Sequence, residues 1–212
     1  MSFATWFSFF VAGVLIAVSP GSGAVLSMSH GLAYGLKKAS ATVIGLQLGL
    51  MLVFAIAGAG VGSLLLASSV AFMVVKTVGA LYLIYLGLSQ WRSKAEASAV
   101  STDGLAAHPS FGQRVLTGFL TNATNPKGII FMVAVLPGFI SAHAPLLPQL
   151  LILGVTMMAI DVTVMHGYAF LAASMQRFFR DPSAVKLQNR FFGGMLMVVG
   201  TLLFFVKRTH GA

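Results

Sequence analysis

A few ionisable residues interrupt an otherwise apolar chain, and they are the side chains that could do chemistry. Asp161 is the only acidic residue inside a long apolar segment. A carboxylate at such a depth needs a cation, a cationic ligand or a proton as its partner. The sequence therefore predicts that Asp161 serves proton coupling, binds a ligand ammonium, or does both in alternation. A structural ion pair with Lys127 or Lys76 is the alternative.

Lys127 follows Asn125 and Pro126 near the middle of a second apolar segment. A charge at that depth costs about 2.5–3.5 kcal/mol on insertion scales. We predict that Asn125, Pro126 and Lys127 bind substrate, with the lysine contacting an anionic group. A lysine whose long stem reaches the membrane surface is the alternative.

Ser19, Pro20, Gly21 and Gly23 lie inside the first apolar segment. Proline removes a backbone donor and interrupts a helix, and opened backbone at membrane depth must line a cavity or be covered by protein. The pattern predicts a broken helix whose second half directs free N–H groups at an anionic ligand. A proline kink that only helps packing is the alternative.

Gln47 lies between Gly45 and Gly49, whose spacing predicts a seam for close helix packing. We predict that Gln47 binds substrate, and a role in packing alone is the alternative.

The sequence lacks the residues for cysteine chemistry, for ATP binding and for a zinc protease. The chain has no cysteine, residues 31–38 do not have the Walker A spacing, and no His-Glu-x-x-His motif is present. We therefore expect no metal, no cofactor and no enzymatic activity. The basic residues occur singly or in pairs beside apolar runs rather than as a stripe, which argues against nucleic acid as a partner.

Composition identifies the class of protein. Of the 212 residues, 58% are hydrophobic and 8% are charged, whereas soluble domains carry roughly 25% charged residues. One membrane span needs about 20 apolar residues, so the apolar content suits about six spans. We therefore expect the chain to lie in a lipid bilayer.

Charge-free windows and helix breakers predict an all-α membrane fold of about six transmembrane helices. The expected helices are 3–30, 39–63, 70–90, 114–137, 148–174 and 189–206, with the first broken at Pro20 and the fourth at Pro126. Broken helices in corresponding positions suggest two inverted three-helix repeats. We expect one transmembrane domain over 1–212, formed by a first repeat (1–90), a cytoplasmic loop (91–113) and a second repeat (114–206).

Basic residues predict the orientation of this domain. Nine of the 13 lysines and arginines fall after the first, third and fifth helices, and two fall at the C-terminus. The positive-inside rule then places loops 31–38, 91–113 and 175–188 in the cytoplasm.

The motifs together resemble the RhtB family of the lysine exporter (LysE) superfamily over nearly the whole chain. They are Ser-Pro-Gly-x-Gly at 19–23, Gly-Leu-Gln-x-Gly at 45–49, Lys-x-x-Gly-Ala-x-Tyr-Leu-x-Tyr-Leu-Gly at 76–87, Asn-Pro-Lys at 125–127, and Leu-Gly-Val-Thr at 153–156 leading to Asp161 and Gly-Tyr-Ala at 167–169. The resemblance implies a multi-pass exporter of amino acids in the bacterial inner membrane, driven by the proton gradient.

The expected activity is proton-coupled export of small neutral amino acids or derivatives such as homoserine, homoserine lactone and threonine. No second acid lies in an apolar segment to neutralise a cationic side chain, which disfavours lysine and arginine. Export of another amino-acid class, or an uncoupled channel or structural protein, stays the alternative. The sequence leaves a homo-oligomer open.

Overall fold

The computed structural model describes residues 1–67, 69–92, 105, 108–141, 143–174 and 182–205, and no strand occurs among them. The described helices are α1 (Phe3–Val18), α2 (Ser22–Tyr34), α3 (Leu36–Ala67), α4 (Ser69–Arg92), α5 (Phe111–Ala123), α6 (Pro126–Val135) with a short 3₁₀ helix (Leu136–Phe139), α7 (Leu146–Ser174) and α8 (Pro182–Phe205). The predicted all-helical class is confirmed.

Both predicted helix breaks are present. Ser19, which precedes Pro20, has the extended backbone that a following proline favours, and α1 and α2 meet at 55°. Asn125 likewise precedes Pro126, which occupies the first turn of α6. The second pair of helices, α5 and α6, is bent by 50°.

The described part of the chain contains three to five candidate membrane spans. Leu36–Gly60, Met73–Arg92 and Leu146–Ser174 are each long and apolar enough to cross a bilayer, and the count reaches five if each bent pair is one span. α8 is not among these candidates, so the predicted total of six spans and the inverted-repeat arrangement are not confirmed.

Two predicted loops contain helix in their described residues. Within 31–38, only Gly35 separates α2 from α3, and its φ of 77° is the left-handed conformation that glycine adopts without strain. Within 175–188, α8 begins at Pro182, a residue type that fits the first turn of a helix. Residues 175–181 lie outside the described residues.

The start of α5 also differs from the prediction. The helix begins at Phe111 rather than 114, because Ser110 and Gln113 form a reciprocal capping box. Gln113 N–H donates to Ser110 Oγ over 3.2 Å, and Ser110 N–H donates to Gln113 Oε1 over 2.7 Å. Most of the predicted loop 91–113 lies outside the described residues.

Glycines bring the helix backbones into direct contact. A Cβ on Gly45 would collide with the Val115 carbonyl oxygen of α5, and one on Gly49 would lie 2.5 Å from the Phe119 carbonyl oxygen. The predicted seam on α3 is therefore confirmed as a packing surface. On the other side of the bundle, α4 and α8 approach each other in the same way at Gly87 and Gly193. These contacts hold α3 against α5 and α4 against α8, around the two helix breaks.

Candidate functional site

A cavity of about 40 Å³ lies between the two helix breaks and α7. The predicted residues that line it are Ser19, Gly21 and Gly23 from the first break, Asn125 and Lys127 from the second, and Asp161 from α7. Pro20 and Pro126 are absent from this lining, and the structure places them in the breaks themselves. Gln47 is also absent from the lining but bonds to Asp161.

The N-terminus of α2 faces this cavity without a side-chain cap. Gly21 occupies the N-cap position and has no side chain to accept from the first N–H groups of the helix. These groups have no acceptor within their own helix, and they carry the positive end of the helix dipole. An anionic group in the cavity would therefore find donors at Gly21 and Gly23.

The N-terminus of α6, in contrast, is capped. Asn125 Oδ1 accepts from the backbone N–H of Lys127 over 3.1 Å. The Asn125 amide in turn donates to Asn122 Oδ1 over 3.4 Å, and the Asn122 amide donates to the Leu46 carbonyl over 2.8 Å. Asn125 and Pro126 therefore have a structural role as the N-cap and first residue of α6. The cap also fixes the position of the Lys127 backbone.

Lys127 directs its ammonium group at the C-terminal end of α1. It donates to the Ile16 carbonyl over 3.1 Å and to the Ser19 carbonyl. A cation is favourable there because the last carbonyls of a helix lack partners and carry the negative end of its dipole. In the described part of the chain, Lys127 and Asp161 form no ion pair, although both line the cavity.

Asp161 is held by Gln47. The carboxylate is 6% exposed, and Gln47 Nε2 donates to its Oδ2 over 2.5 Å. It is the only acidic residue in the part of the chain that the structure describes. The cavity therefore contains one anionic group, one cationic group and one uncapped helix N-terminus.

Two contacts at the first break were not predicted from the sequence. The Tyr168 hydroxyl of α7 donates to the Val18 carbonyl over 2.6 Å, and Ser19 Oγ donates to Gln90 Oε1 of α4 over 3.4 Å. Both satisfy polar groups that the break exposes. A hydroxyl and an amide inside apolar helices were the available signals, but the sequence does not show which group each one reaches.

The two glycines of the first break differ in how much space a side chain would have. A Cβ on Gly21 would lie 3.0 Å from Lys127 Cε and 3.1 Å from its Nζ. A Cβ on Gly23 would meet Leu46 Cδ2 at 3.4 Å, which is ordinary van der Waals contact. Of these two glycines, Gly21 is therefore the one that lies against the Lys127 side chain.

His166, one turn beyond Asp161, has partners away from the carboxylate. Its Nδ1 is 2.9 Å from the Val162 carbonyl oxygen and its Nε2 is 3.2 Å from Ser40 Oγ. Among the described residues, no group of three histidine, aspartate or glutamate side chains could hold a metal ion.

Broken helices that meet at a polar cavity in an apolar bundle are typical of membrane transporters. The LysE type translocator family matches residues 14–206 of this chain, and the chain belongs to that family. The resemblance noted from the motifs is thereby confirmed. The chain is a membrane transporter of a family that supports amino-acid efflux.

Relatives match almost end to end. The chain is 40% identical to the homoserine/homoserine lactone efflux protein of Salmonella typhi, over 96% of this chain and 97% of the relative. It is 38% identical to an uncharacterized membrane protein of Vibrio cholerae, over 98% and 100%. It is 28% identical to the leucine efflux protein of an Enterobacter species, over 92% of both chains. No solved structure shows significant similarity to this chain.

Proposed function

We propose that this chain is a secondary active exporter of small neutral amino acids or their derivatives, with homoserine, homoserine lactone and threonine as substrates. It exchanges them for protons, and it is not an enzyme. The observation that carries the proposal is the single cavity in which Lys127, Asp161 and the uncapped N-terminus of α2 meet. The names of the Salmonella relatives support the choice of substrate.

A zwitterionic amino acid has a charged group for each end of this cavity. Its carboxylate suits the free N–H groups at Gly21 and Gly23 and a charge-assisted bond from Lys127. Its ammonium suits Asp161. With no other acidic residue among the described ones, a cationic side chain would lack a counter-charge, which favours neutral substrates over lysine and arginine. The homoserine hydroxyl would be held by Gln47 or Asn125.

Asp161 couples this binding to proton movement. A carboxylate binds either an ammonium group or a proton, so each occupant excludes the other. Substrate release on one side and proton release on the other then follow from the same group. Gln47 keeps one carboxylate oxygen fixed, which leaves the other for the exchanging partner.

A leucine-type substrate is the second candidate because part of the cavity wall is apolar. Leu50, Met132, Met157 and Met165 line it beside the polar groups. Methionine side chains adapt readily to apolar ligands, and the Enterobacter relative is named a leucine efflux protein.

The proposal includes the arrangement of the chain in the bacterial inner membrane. One transmembrane domain spans 1–212, with inverted repeats over 1–90 and 114–206 joined by a cytoplasmic loop at 91–113. Two bends of similar size, 55° and 50°, at corresponding positions of the two halves support this arrangement.

Transport by purified protein in liposomes tests the proposal. Vesicles preloaded with labelled homoserine, leucine or lysine are diluted into substrate-free buffer, with and without an imposed pH gradient. We expect homoserine to leave faster than lysine. In a second series with equal homoserine on both sides, we expect the imposed pH gradient alone to drive net homoserine movement. Lysine efflux equal to homoserine efflux would contradict the neutral-substrate proposal, and faster leucine efflux would favour the second candidate. Indifference to the gradient would contradict proton coupling.

A further inference from the structure

His30 is a buried titratable residue that lies outside the cavity. It is on α2 and 3% exposed. Its Nδ1 is 2.5 Å from Thr42 Oγ1 of α3, and its ring packs edge-on against Tyr34 with centroids 5.1 Å apart. Ionisable side chains are rare inside membrane helices and are usually functional there.

One face of α2 connects the cavity to this histidine. Gly23, Ser27 and His30 follow each other at intervals of four and three residues, so they share a helix face. Gly23 lines the cavity. Ser27 is fully buried, and its Oγ has no hydrogen-bond partner among the described residues.

α3 provides a second buried polar atom, on the residue that bonds to Asp161. Gln47 donates to Asp161 through Nε2, but its Oε1 is buried without a described partner. Thr42, which contacts His30, lies five residues earlier on the same helix. Leaving such atoms unpaired costs about 1–3 kcal/mol each, and ordered water normally satisfies them.

We propose, on the basis of the proposed function, that water bound at Ser27 and Gln47 links Asp161 to His30, and that His30 carries the transported proton between Asp161 and the end of the bundle at Gly35. The carboxyl group of Asp161 gives up its proton through water and the Ser27 hydroxyl. The neutral imidazole accepts it at one ring nitrogen and releases a proton from the other. Asp161 is then ionised and free to bind the substrate ammonium.

The groups around His30 suit transfer rather than storage of the proton. Among the described residues, Arg114 of α5 is the charged group that acts electrostatically on His30, and its positive charge disfavours a lasting positive charge on the imidazole. Tyr34 on the same helix and Thr42 on α3 are neutral partners. His166 of α7 bonds to Val162 and Ser40 instead.

The end of the bundle at Gly35 is the expected cytoplasmic side. Gly35 joins α2 to α3, and the exposed Lys37 and Lys38 follow it directly. Basic residues concentrate on the cytoplasmic side of membrane proteins. The route through His30 therefore serves proton release to the cytoplasm as the exporter loads its substrate.

Two assays on the reconstituted full chain separate proton transfer from substrate binding. Counterflow of labelled homoserine at equal pH exchanges substrate for substrate and needs no net proton movement. Accumulation driven by a pH gradient needs one proton transfer for each cycle. We expect His30→Gln to keep counterflow near the parent rate. Its gradient-driven accumulation falls by at least about tenfold, a lower bound set beneath the roughly 10²–10⁴ that a positioned proton-transfer group contributes.

Ser27→Ala is the second variant. It removes the relay hydroxyl without replacing the histidine, and we expect the same selective loss. His143→Gln, at an exposed site near the start of α7, is the matched control and should match the parent in both assays. Undiminished gradient-driven accumulation in both His30→Gln and Ser27→Ala would overturn the proposal, as would equal loss of both activities in folded protein. Selective loss in His166→Gln alone would place the route along α7 and would also overturn it.

Asp161→Asn keeps this test distinct from that of the proposed function. If this variant still accumulates homoserine in response to the gradient, proton coupling at Asp161 fails, whatever His30 does. If the parent accumulates homoserine and Asp161→Asn does not, proton coupling at Asp161 holds. The His30 and Ser27 variants then test only the path that the proton takes.

Discussion

At the scale of single residues, the two charged groups of the cavity are bonded to different helices. Lys127 contacts the C-terminal carbonyls of α1, and Asp161 contacts Gln47 of α3. Their substitution should therefore produce separable effects rather than one shared loss. Each group can be removed while the other keeps its partner.

Asp161→Asn should abolish export against a gradient while leaving membrane insertion intact. Asparagine has nearly the same shape and retains an oxygen that can accept from Gln47, but it neither ionises nor carries a proton. Uphill homoserine efflux from proteoliposomes measures the loss, and the yield of monodisperse protein measures folding. Asp161→Glu, which keeps the carboxylate, is the comparison variant. Wild-type accumulation by Asp161→Asn would show that the carboxylate is structural.

Lys127→Ala should weaken export of homoserine more than export of homoserine lactone. The lactone has no carboxylate anion to bond with the Lys127 ammonium group. Removing that group should therefore weaken lactone export less. Efflux of each labelled compound from the same vesicles gives the ratio directly. Equal losses for both compounds would mean that Lys127 stabilises the helix break and does not contact the substrate carboxylate.

Gly21→Ala should raise the KM for homoserine by about tenfold, equivalent to about 1.4 kcal/mol. The new methyl group would lie 3.0 Å from Lys127 Cε and 3.1 Å from its Nζ. The ammonium group must therefore move by a few tenths of an ångström, and the methyl group narrows the approach to the α2 N-terminus. Gly167→Ala is the control, because a Cβ there meets nothing within 4 Å. An unchanged KM in Gly21→Ala would contradict a binding role for this lysine position.

The sequence was most informative about residues that are costly in a membrane. Lys127 and Asp161 stood out because charges are rare in apolar segments, and the two prolines because they open the helix backbone. The structure brings both charged groups to one cavity. The contacts of Tyr168 and Gln90 were not predicted, because these side chains bond to a carbonyl group and a hydroxyl group at the distant end of α1. Such partners depend on tertiary packing, which residue types alone do not specify.

At the scale of helices, boundaries were predicted less well than their existence. Charge-free windows locate apolar surface, but helices continue into the polar ends, as α8 does from Pro182. The capping box at Ser110 and Gln113 was visible in the sequence and would have placed the start of α5 correctly. The short connection at Gly35 depends on one positive φ, which a glycine permits but does not require.

Gly45→Ala should destabilise the protein by about 1–3 kcal/mol, the usual cost of overpacking. Its Cβ would collide with the Val115 carbonyl oxygen, so α3 and α5 must separate. Gly60→Ala on the same helix is the matched control, because its Cβ meets nothing within 4 Å. We expect a lowered Tm in detergent for Gly45→Ala alone. Equal Tm values for both variants would contradict the close approach of the two helices.

At the scale of the whole molecule, helix order sets which segments share a side of the membrane. α2 ends and α3 begins at Gly35, whereas α7 begins at Leu146 after the chain has returned to the opposite end. The chain has no cysteine, so a single introduced thiol reports one position. Lys38→Cys should resist an impermeant thiol reagent in intact cells, and His143→Cys should react. The opposite pattern would reverse the proposed orientation.

The contacts of Lys127 with the α1 carbonyls have a consequence for when such an exporter works. Under the proposed function, an arriving carboxylate must displace the Ile16 and Ser19 carbonyls from the ammonium group. Exchanging one hydrogen bond for another yields little net free energy, so the empty protein competes with its own substrate. The protein should then stay idle at ordinary internal concentrations and respond once the amino acid accumulates. A cell thereby relieves an excess without draining the supply that it needs for growth.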